Sequence, residues 1–252
     1  MDNRPIGVFD SGLGGLTVVK ELIKLLPHED IIYLGDTARV PYGNRSAAAI
    51  TKFAFEDVGF LLTKNVKCVV VACNTVSAVA GIDLKNKIKI PVFDVIEPVL
   101  KLTKADKIAV IGTRATIKSQ AYKVDYSISC PLLVDFIEEG KIDGKALEIT
   151  LRNYLVPLKS KNISTLIMGC THFPIIEKLI QKEVGVGVKL INPGKLVSGV
   201  VADYLSDHKM LRNSKSKPNL KFFVTDLTDQ FTHTAKMFLG KQISIQRVEL
   251  GK

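Results

Sequence analysis

The sequence has 252 residues, 46% of them hydrophobic, and a formal net charge of +10. That length is one large or two modest domains with ample material for a core, and no apolar run approaches the roughly 20 residues of a membrane span. The four cysteines, at 68, 73, 130 and 170, show neither C-x-x-C nor paired metal spacing, which argues against a disulfide framework or a zinc site.

No hydrophobic leader follows Met1-Asp-Asn-Arg-Pro5, so a reducing, cytoplasmic setting is expected. The lysines are spread over most predicted helices, and their one concentration, Lys209 to Lys221, reads as a solvated connection. No nucleic-acid-binding motif accompanies the charge, so nucleic acid is not an expected partner; solubility, or attraction of an anionic small substrate, accounts for it.

In chain order, Pro5–Phe9 predicts a strand that runs into Asp10-Ser11-Gly12-Leu13-Gly14-Gly15. Leu16, Val19, Ile23 and Leu26 then mark one face of a helix that Pro27 closes. A nucleotide loop is excluded: no Gly-Lys-Ser/Thr follows, and Thr17 stands where a dinucleotide fingerprint needs glycine. What survives is a glycine turn that lets backbone N–H groups approach an anion at a helix start, and a carboxylate serves as well as a phosphate.

Ile31–Leu34 predicts a second strand, emptying into Gly35-Asp36-Thr37-Ala38-Arg39-Val40-Pro41-Tyr42-Gly43, a loop dense in polar and turn residues. Loops of this kind at the carboxyl ends of parallel strands hold the ligands of α/β sheets. Ile50, Phe53, Ala54, Val58 and Leu61 mark a helix, and Cys68–Ala72 is a Val-rich run typical of a strand buried on both faces. It ends in Cys73-Asn74-Thr75, with a helix expected from Val76 and a strand at Ile90–Asp94.

After Glu97-Pro98 the pattern restarts. Lys107–Ile111 predicts a strand, Gly112-Thr113-Arg114-Ala115-Thr116 a polar turn, and a short helical stretch follows to about Tyr126. The segment Cys130–Gly140 carries the adjacent pair Glu138 and Glu139, and Leu147, Leu151, Tyr154 and Leu158 mark a helix. Thr165–Gly169 repeats the apolar run and ends in Cys170-Thr171-His172, with Phe173-Pro174 opening another expected helix.

The separation of Asp10 from Cys73 nearly equals that of Gly112 from Cys170, which suggests duplicated units facing each other. Ser198–Leu205 forms a later helix, and Leu220–Asp226 a strand expected to cross back to the first unit. The expected fold is therefore α/β: two similar doubly wound parallel-sheet domains related by pseudo-twofold symmetry, with the site in the cleft between them. The expected boundaries are 1–96 plus 208–252 for the first domain and 97–207 for the second.

Each of the two strand-end thiols is expected at a helix N-terminus, where unpaired N–H groups and the dipole lower a cysteine pKa from its free value of about 8.5. Buried structural cysteine is the ordinary reading of a lone thiol; the repeated Cys-(Asn)-Thr ending argues against it for Cys73 and Cys170, whereas Cys68 and Cys130 read as packing. Competing readings stand for other positions: an Asp36–Arg39 surface ion pair, a helix cap at Asp10, a structural His172 and an ordinary turn at Tyr42-Gly43.

Taken together, Phe9–Gly15, Gly35–Gly43, Ala72–Thr75 and Gly169–Pro174 resemble the cofactor-independent glutamate racemases over nearly the whole chain. The resemblance implies interconversion of L- and D-glutamate, supplying D-glutamate for peptidoglycan, without pyridoxal phosphate or metal, and a homodimer is common in that family. Inverting a stereocentre by proton transfer needs one group to remove the α-proton from one face and another to deliver a proton to the other. By the resemblance, Cys73 deprotonates D-glutamate and Cys170 deprotonates L-glutamate.

The same resemblance places Asp10 and Asp36 near the first thiol as proton-handling partners, with His172 and Glu138, or its neighbour Glu139, near the second. It makes Asp10, Ser11, Tyr42, Gly43, Asn74, Thr75, Thr171 and His172 substrate contacts, with Thr113 and Thr116 joining them. Two departures stand out. The stretch between Thr116 and Cys130 is shorter than is usual, which is expected to remove part of a helix or strand, and Asn192-Pro193 replaces a more usual Asp-Ser pair.

Three alternatives remain open. A related two-thiol enzyme could act on aspartate, a hydantoin or maleate. A one-thiol transferase or hydrolase would form an adduct at Cys73 and leave Cys170 dispensable. A basic binding protein would retain nucleic acid without turnover.

Overall fold

The structure, a computed structural model, describes residues 1–102, 107–240 and 242–250. The first part of the chain forms β1 (Ile6–Asp10), α1 (Leu16–Leu25), β2 (Ile31–Gly35), α2 (Ala47–Thr63), β3 (Cys68–Val71), α3 (Asn74–Lys87) and β4 (Val92–Asp94). The second follows with α4 (Glu97–Leu102), β5 (Ile108–Gly112), α5 (Arg114–Lys118), β6 (Tyr126–Ser129), α6 (Pro131–Glu138), α7 (Lys145–Lys159), β7 (Thr165–Gly169), α8 (Glu177–Val184) and β8 (Lys189–Ile191). The chain closes with α9 (Pro193–Asp207), β9 (Leu220–Val224), α10 (Asp229–Leu239) and β10 (Ile245–Arg247).

Every strand pairing is parallel. One sheet has the order β10-β9-β2-β1-β3-β4 and the other β6-β5-β7-β8. Four consecutive strands of the larger sheet thus repeat the order of the smaller one, with β1 matching β5 and β3 matching β7. In each unit the chain steps first to one side of its opening strand and then to the other, so the switch point lies between β1 and β3 and again between β5 and β7. The crevice at the carboxyl ends of such strands is where open parallel sheets hold ligands.

The central strands β1, β2, β3, β5 and β7 are buried throughout, as expected of apolar runs covered on both faces by helices. A single buried cluster runs from Ile6, Leu16 and Val19 to Ile111, Met168 and Val201, joining the two sheets across α1 and α9. A second cluster, including Val58, Leu61, Val71 and Leu84, fills the other face of the larger sheet beneath α2 and α3. The two crevices are thereby held by packed side chains rather than by loops alone.

Several expectations are corrected. The stretch from Thr116 to Tyr126 is not one helix: α5 ends at Lys118 and the chain then enters β6, so the shortened segment keeps its strand. The helix expected directly after Cys170 is a 3-10 turn, Phe173–Ile176, and α8 starts only at Glu177; the turn seats Phe173 and Ile176 in the core. Asn192 replaces the lost polar pair with a local use, its side chain accepting from Gly194 and Lys195 N–H to cap α9, with Pro193 in the first turn. The strand at Leu220, by contrast, crosses back as expected and joins the larger sheet beside β2, with Ile31 opposite Leu220. Helix α9 packs on α1 and α4. Residues 103–106, 241, 251 and 252 of the expected domain ranges lie outside the described residues.

Candidate active site

The four strand ends that flank the two switch points carry Ser11, Cys73, Thr113 and Cys170 into one cavity. It lies between the units and opens in part to solvent. The first unit also contributes Tyr42, Gly43, Asn74 and Thr75 to its wall, and the second Thr171 and His172. Both sulfurs therefore face the same space, from opposite sheets.

The two thiols have different surroundings. Cys73 is the residue that precedes α3, and the backbone N–H groups of Val76 and Ser11 point at its sulfur, as a helix N-terminus predicts. Its Sγ also lies 3.5 Å from Ser11 Oγ. Burial nevertheless dominates, and with the nearby Asp10 carboxylate it pushes the Cys73 thiol up to about 12, opposite to the lowering expected from the helix alone. Cys170 Sγ lies 3.6 Å from His172 Nδ1, and His172 Nε2 lies 3.0 Å from Glu138 Oε1. Burial opposes a charged imidazole, but the hydrogen bonds and negative charge of Cys170 and Glu138 outweigh it and hold the His172 pKa well above its ordinary value.

Asp10 is fully buried behind the first thiol. Its Oδ2 accepts from Gly12 N–H at 3.0 Å, and Thr171 of the opposite unit donates to its Oδ1 at 3.4 Å. Burial raises its pKa, while His172 pulls in the opposite direction. The turn after Asp10 is glycine-rich for a steric reason: a Cβ on Gly14 would collide with the Thr171 hydroxyl and lie 2.6 Å from His172 Nδ1.

More hydrogen bonds cross the cleft. Thr17 Oγ1 donates to the Thr171 carbonyl at 2.9 Å, Thr75 and Thr113 share a bond of 2.8 Å, and Tyr122 donates to the Asn74 side chain. Thr116 sits behind this wall, 3.0 Å from Thr113 Oγ1 and 3.4 Å from Thr75 Oγ1.

Two expected positions are resolved differently. Asp36 does not reach the first thiol: its carboxylate is turned away, accepting from Arg39 Nε at 2.5 Å, from Thr225 Oγ1 at 2.8 Å and from the Tyr42 hydroxyl. Nor is Asp36–Arg39 a surface pair, since Asp36 is fully buried. Between the adjacent glutamates, Glu138 meets His172, whereas Glu139 is exposed at the end of α6. Cys68 and Cys130 are fully buried outside the cavity, and burial pushes each up to about 12. The reading from sequence missed Asn44, Arg114, Leu132 and Asp135 on the cavity wall, and Asp57 behind Tyr42. Asp57 had a signal, being a carboxylate spaced with Ile50, Ala54, Val58 and Leu61 on the buried face of α2.

No cluster of three or more potential metal-ligating side chains occurs among the described residues, nor any helix long and apolar enough to cross a membrane.

The chain matches the family model for Asp/Glu/Hydantoin racemase over residues 6–197. It is 40% identical to a glutamate racemase of Geobacter metallireducens, covering 95% of this chain and 94% of that one. It is 43% identical to glutamate racemase 2 of Caldanaerobacter subterraneus subsp. tengcongensis, with 96% of each covered. Its structure superposes on that of glutamate racemase from Francisella tularensis in complex with D-glutamate with a TM-score of 0.94, at 43% identity and 98% coverage of both chains. The chain thus belongs to the Asp/Glu/Hydantoin racemase family, among its glutamate racemases.

Proposed function

We propose that this protein interconverts L- and D-glutamate by two-base proton transfer between Cys73 and Cys170. The single observation that carries the reading is that both thiols line one cavity from opposite sheets, each at the end of the strand that flanks a switch point. A carbon held between them faces a base on one side and an acid on the other, which is what inversion requires.

The directions follow the family resemblance. Cys170 takes the α-proton of L-glutamate and Cys73 delivers a proton to the opposite face, giving D-glutamate. Two features support the pairing: His172 Nδ1 lies 3.6 Å from Cys170 Sγ, and burial raises the Cys73 thiol so that it holds a proton to give. The reverse direction starts from the opposite protonation state. Ser11, Asn74, Thr75 and Thr171, with the Tyr42-Gly43 segment, offer hydroxyl, amide and backbone donors for two substrate carboxylates. Asp10, paired with Thr171, orders the first side, and the Glu138–His172 pair the second.

Supplying D-glutamate for peptidoglycan in the cytoplasm is the corresponding cellular role, and a homodimer the expected state. Both follow from the family, whereas the division into 1–96 with 208–252 and 97–207 rests on the repeated strand-and-thiol pattern of the chain.

The test is incubation of the purified protein with L-glutamate in heavy water, without added cofactor, following circular dichroism and α-deuterium in both enantiomers. Deuterium appears first in the newly formed enantiomer. Cys73→Ala and Cys170→Ala each abolish racemisation; full activity in either variant refutes the two-base assignment. Offering aspartate, a hydantoin and maleate under the same conditions separates the related chemistries.

A further inference from the structure

The Tyr42 hydroxyl is fully enclosed, although its residue forms part of the cavity wall. It donates to Asp36, and it also lies 3.2 Å from Asp57 Oδ2. Asp57 is itself fully buried, on the face of α2 that otherwise presents Ile50, Ala54, Val58 and Leu61 to the core. A carboxylate at such a position is costly unless something requires it.

One phenol has one hydrogen. It cannot serve two carboxylates, so the second contact is favourable only when Asp57 keeps its own hydrogen and donates to the phenol oxygen. The charges point the same way. Arg39 contacts Asp36, Glu56 and Asp57, the last at 3.4 Å. Lys52 lies 3.9 Å from Glu56, and one guanidinium cannot balance the remaining pair of fully buried carboxylates, Asp36 and Asp57. Burial and the neighbouring Asp36 charge push the Asp57 pKa well above the usual carboxylate range. The donor order is then Asp57 to Tyr42 to Asp36, with Arg39 closing the charge and Phe53 packed against both the Tyr42 ring and the guanidinium.

We propose that Asp57 is a positioning residue for the reaction: by donating to the Tyr42 hydroxyl it fixes the Tyr42-Gly43 segment against the cavity, where a substrate carboxylate is bound. The segment has little freedom to find this place otherwise, because a Cβ on Gly43 would already lie 2.8 Å from Thr113 Cβ of the opposite unit. The inference rests on the glutamate reading above, which the parent protein's own racemisation tests separately.

The experiment compares Asp57→Leu, which suits the apolar face of α2 and has no hydrogen to donate, with Asp57→Asn, whose amide donates as the acid does. Melting temperature, kcat, KM and D-glutamate affinity by calorimetry are measured for each. Asp57→Leu is expected to raise KM and weaken D-glutamate binding at least tenfold, about 1.4 kcal/mol, with a smaller change in kcat. Asp57→Asn restores both to within about threefold of the parent, as neutral donation predicts.

A second comparison uses Tyr42→Phe, which deletes the same link from the other end: Asp57→Ala, which removes the donor, raises KM in the parent but changes it no further when added to Tyr42→Phe. This pair carries the test if Asp57→Leu does not fold. The proposal is overturned if Asp57→Leu lowers the melting temperature with KM unchanged, if Asp57→Asn is as impaired as Asp57→Leu, or if the Asp57→Ala effect on KM persists in full without the phenol hydroxyl. A parent that binds D-glutamate without racemising it defeats the proposed function and leaves the affinity comparison to decide this one.

Discussion

Cys170 stands 3.6 Å from the Nδ1 atom of His172, whereas Cys73 meets Ser11 Oγ at 3.5 Å. The two halves of the site are thus similar in backbone and different in electrostatics. For a reaction that passes through a nearly symmetric intermediate, such a difference decides which proton transfer is the slower one.

Replacing His172 with Asn removes a cation from beside Cys170 and slows the transfers made by that thiol, by about a hundredfold if the imidazole contributes as general acid–base groups do. The two enantiomers have equal free energy, so kcat/KM falls equally in both directions. Isotope effects break the tie. On the proposed mechanism, in which Cys170 breaks the C–H bond of L-glutamate, the α-deuterium effect on kcat/KM grows for L-glutamate and shrinks for D-glutamate. An unchanged pair of isotope effects refutes the assignment of His172 to the Cys170 side.

Asp10 raises the pKa of Cys73 by its charge, second only to burial. Asp10→Asn removes that charge, so the thiolate forms at lower pH. At a fixed pH below the thiol pKa, the thiolate fraction rises about tenfold for each unit the pKa falls. Alkylation of Cys73 by iodoacetamide, followed by peptide mass spectrometry at pH 9, is therefore faster in the variant than in the parent. Slower or equal alkylation contradicts the electrostatic account.

Gly14 packs against Thr171 and His172 of the opposite unit with no room for a Cβ. Gly14→Ala forces Thr171 and His172 away from Asp10, and overpacking of this kind costs about 1–3 kcal/mol. A fall of several degrees in melting temperature and loss of most racemase activity are expected together. Retained activity would mean that the threonine and histidine do not need their observed places.

Lys67 is a fully buried cation whose ammonium meets Glu29 at 2.6 Å and also donates to the carbonyls of Asp2 and Met210. Glu29 in turn accepts from the Arg212 N–H at 2.7 Å, so the pair ties the segment after α9 to the start of the chain. Lys67→Met takes the buried Glu29 carboxyl's counter-ion away and leaves it only the Arg212 N–H, a loss of about 3–5 kcal/mol read from urea unfolding. Lys67→Met with Glu29→Gln is expected to recover part of it, because the amide oxygen still accepts from Arg212.

The sequence by itself determined the parallel sheets, the strand-end thiols and the paired motifs. These depend on local rules: Val-rich runs such as Cys68–Val71 are stable only when covered on both faces, and glycine turns such as Gly12–Gly15 permit close approach wherever they fold. Helix α10 escaped it, as did the short strands β6, β8 and β10, in which three or four residues carry too little periodicity. Only the tertiary structure decided how the polar residues are shared out. It turned Asp36 from the thiol toward Tyr42 and Arg39, chose Glu138 over Glu139, and placed Asp57 behind the cavity wall. It also reversed the expected direction of the Cys73 pKa, because burial and the charge of Asp10 depend on what packs around the sulfur and outweigh the helix end that the sequence reveals.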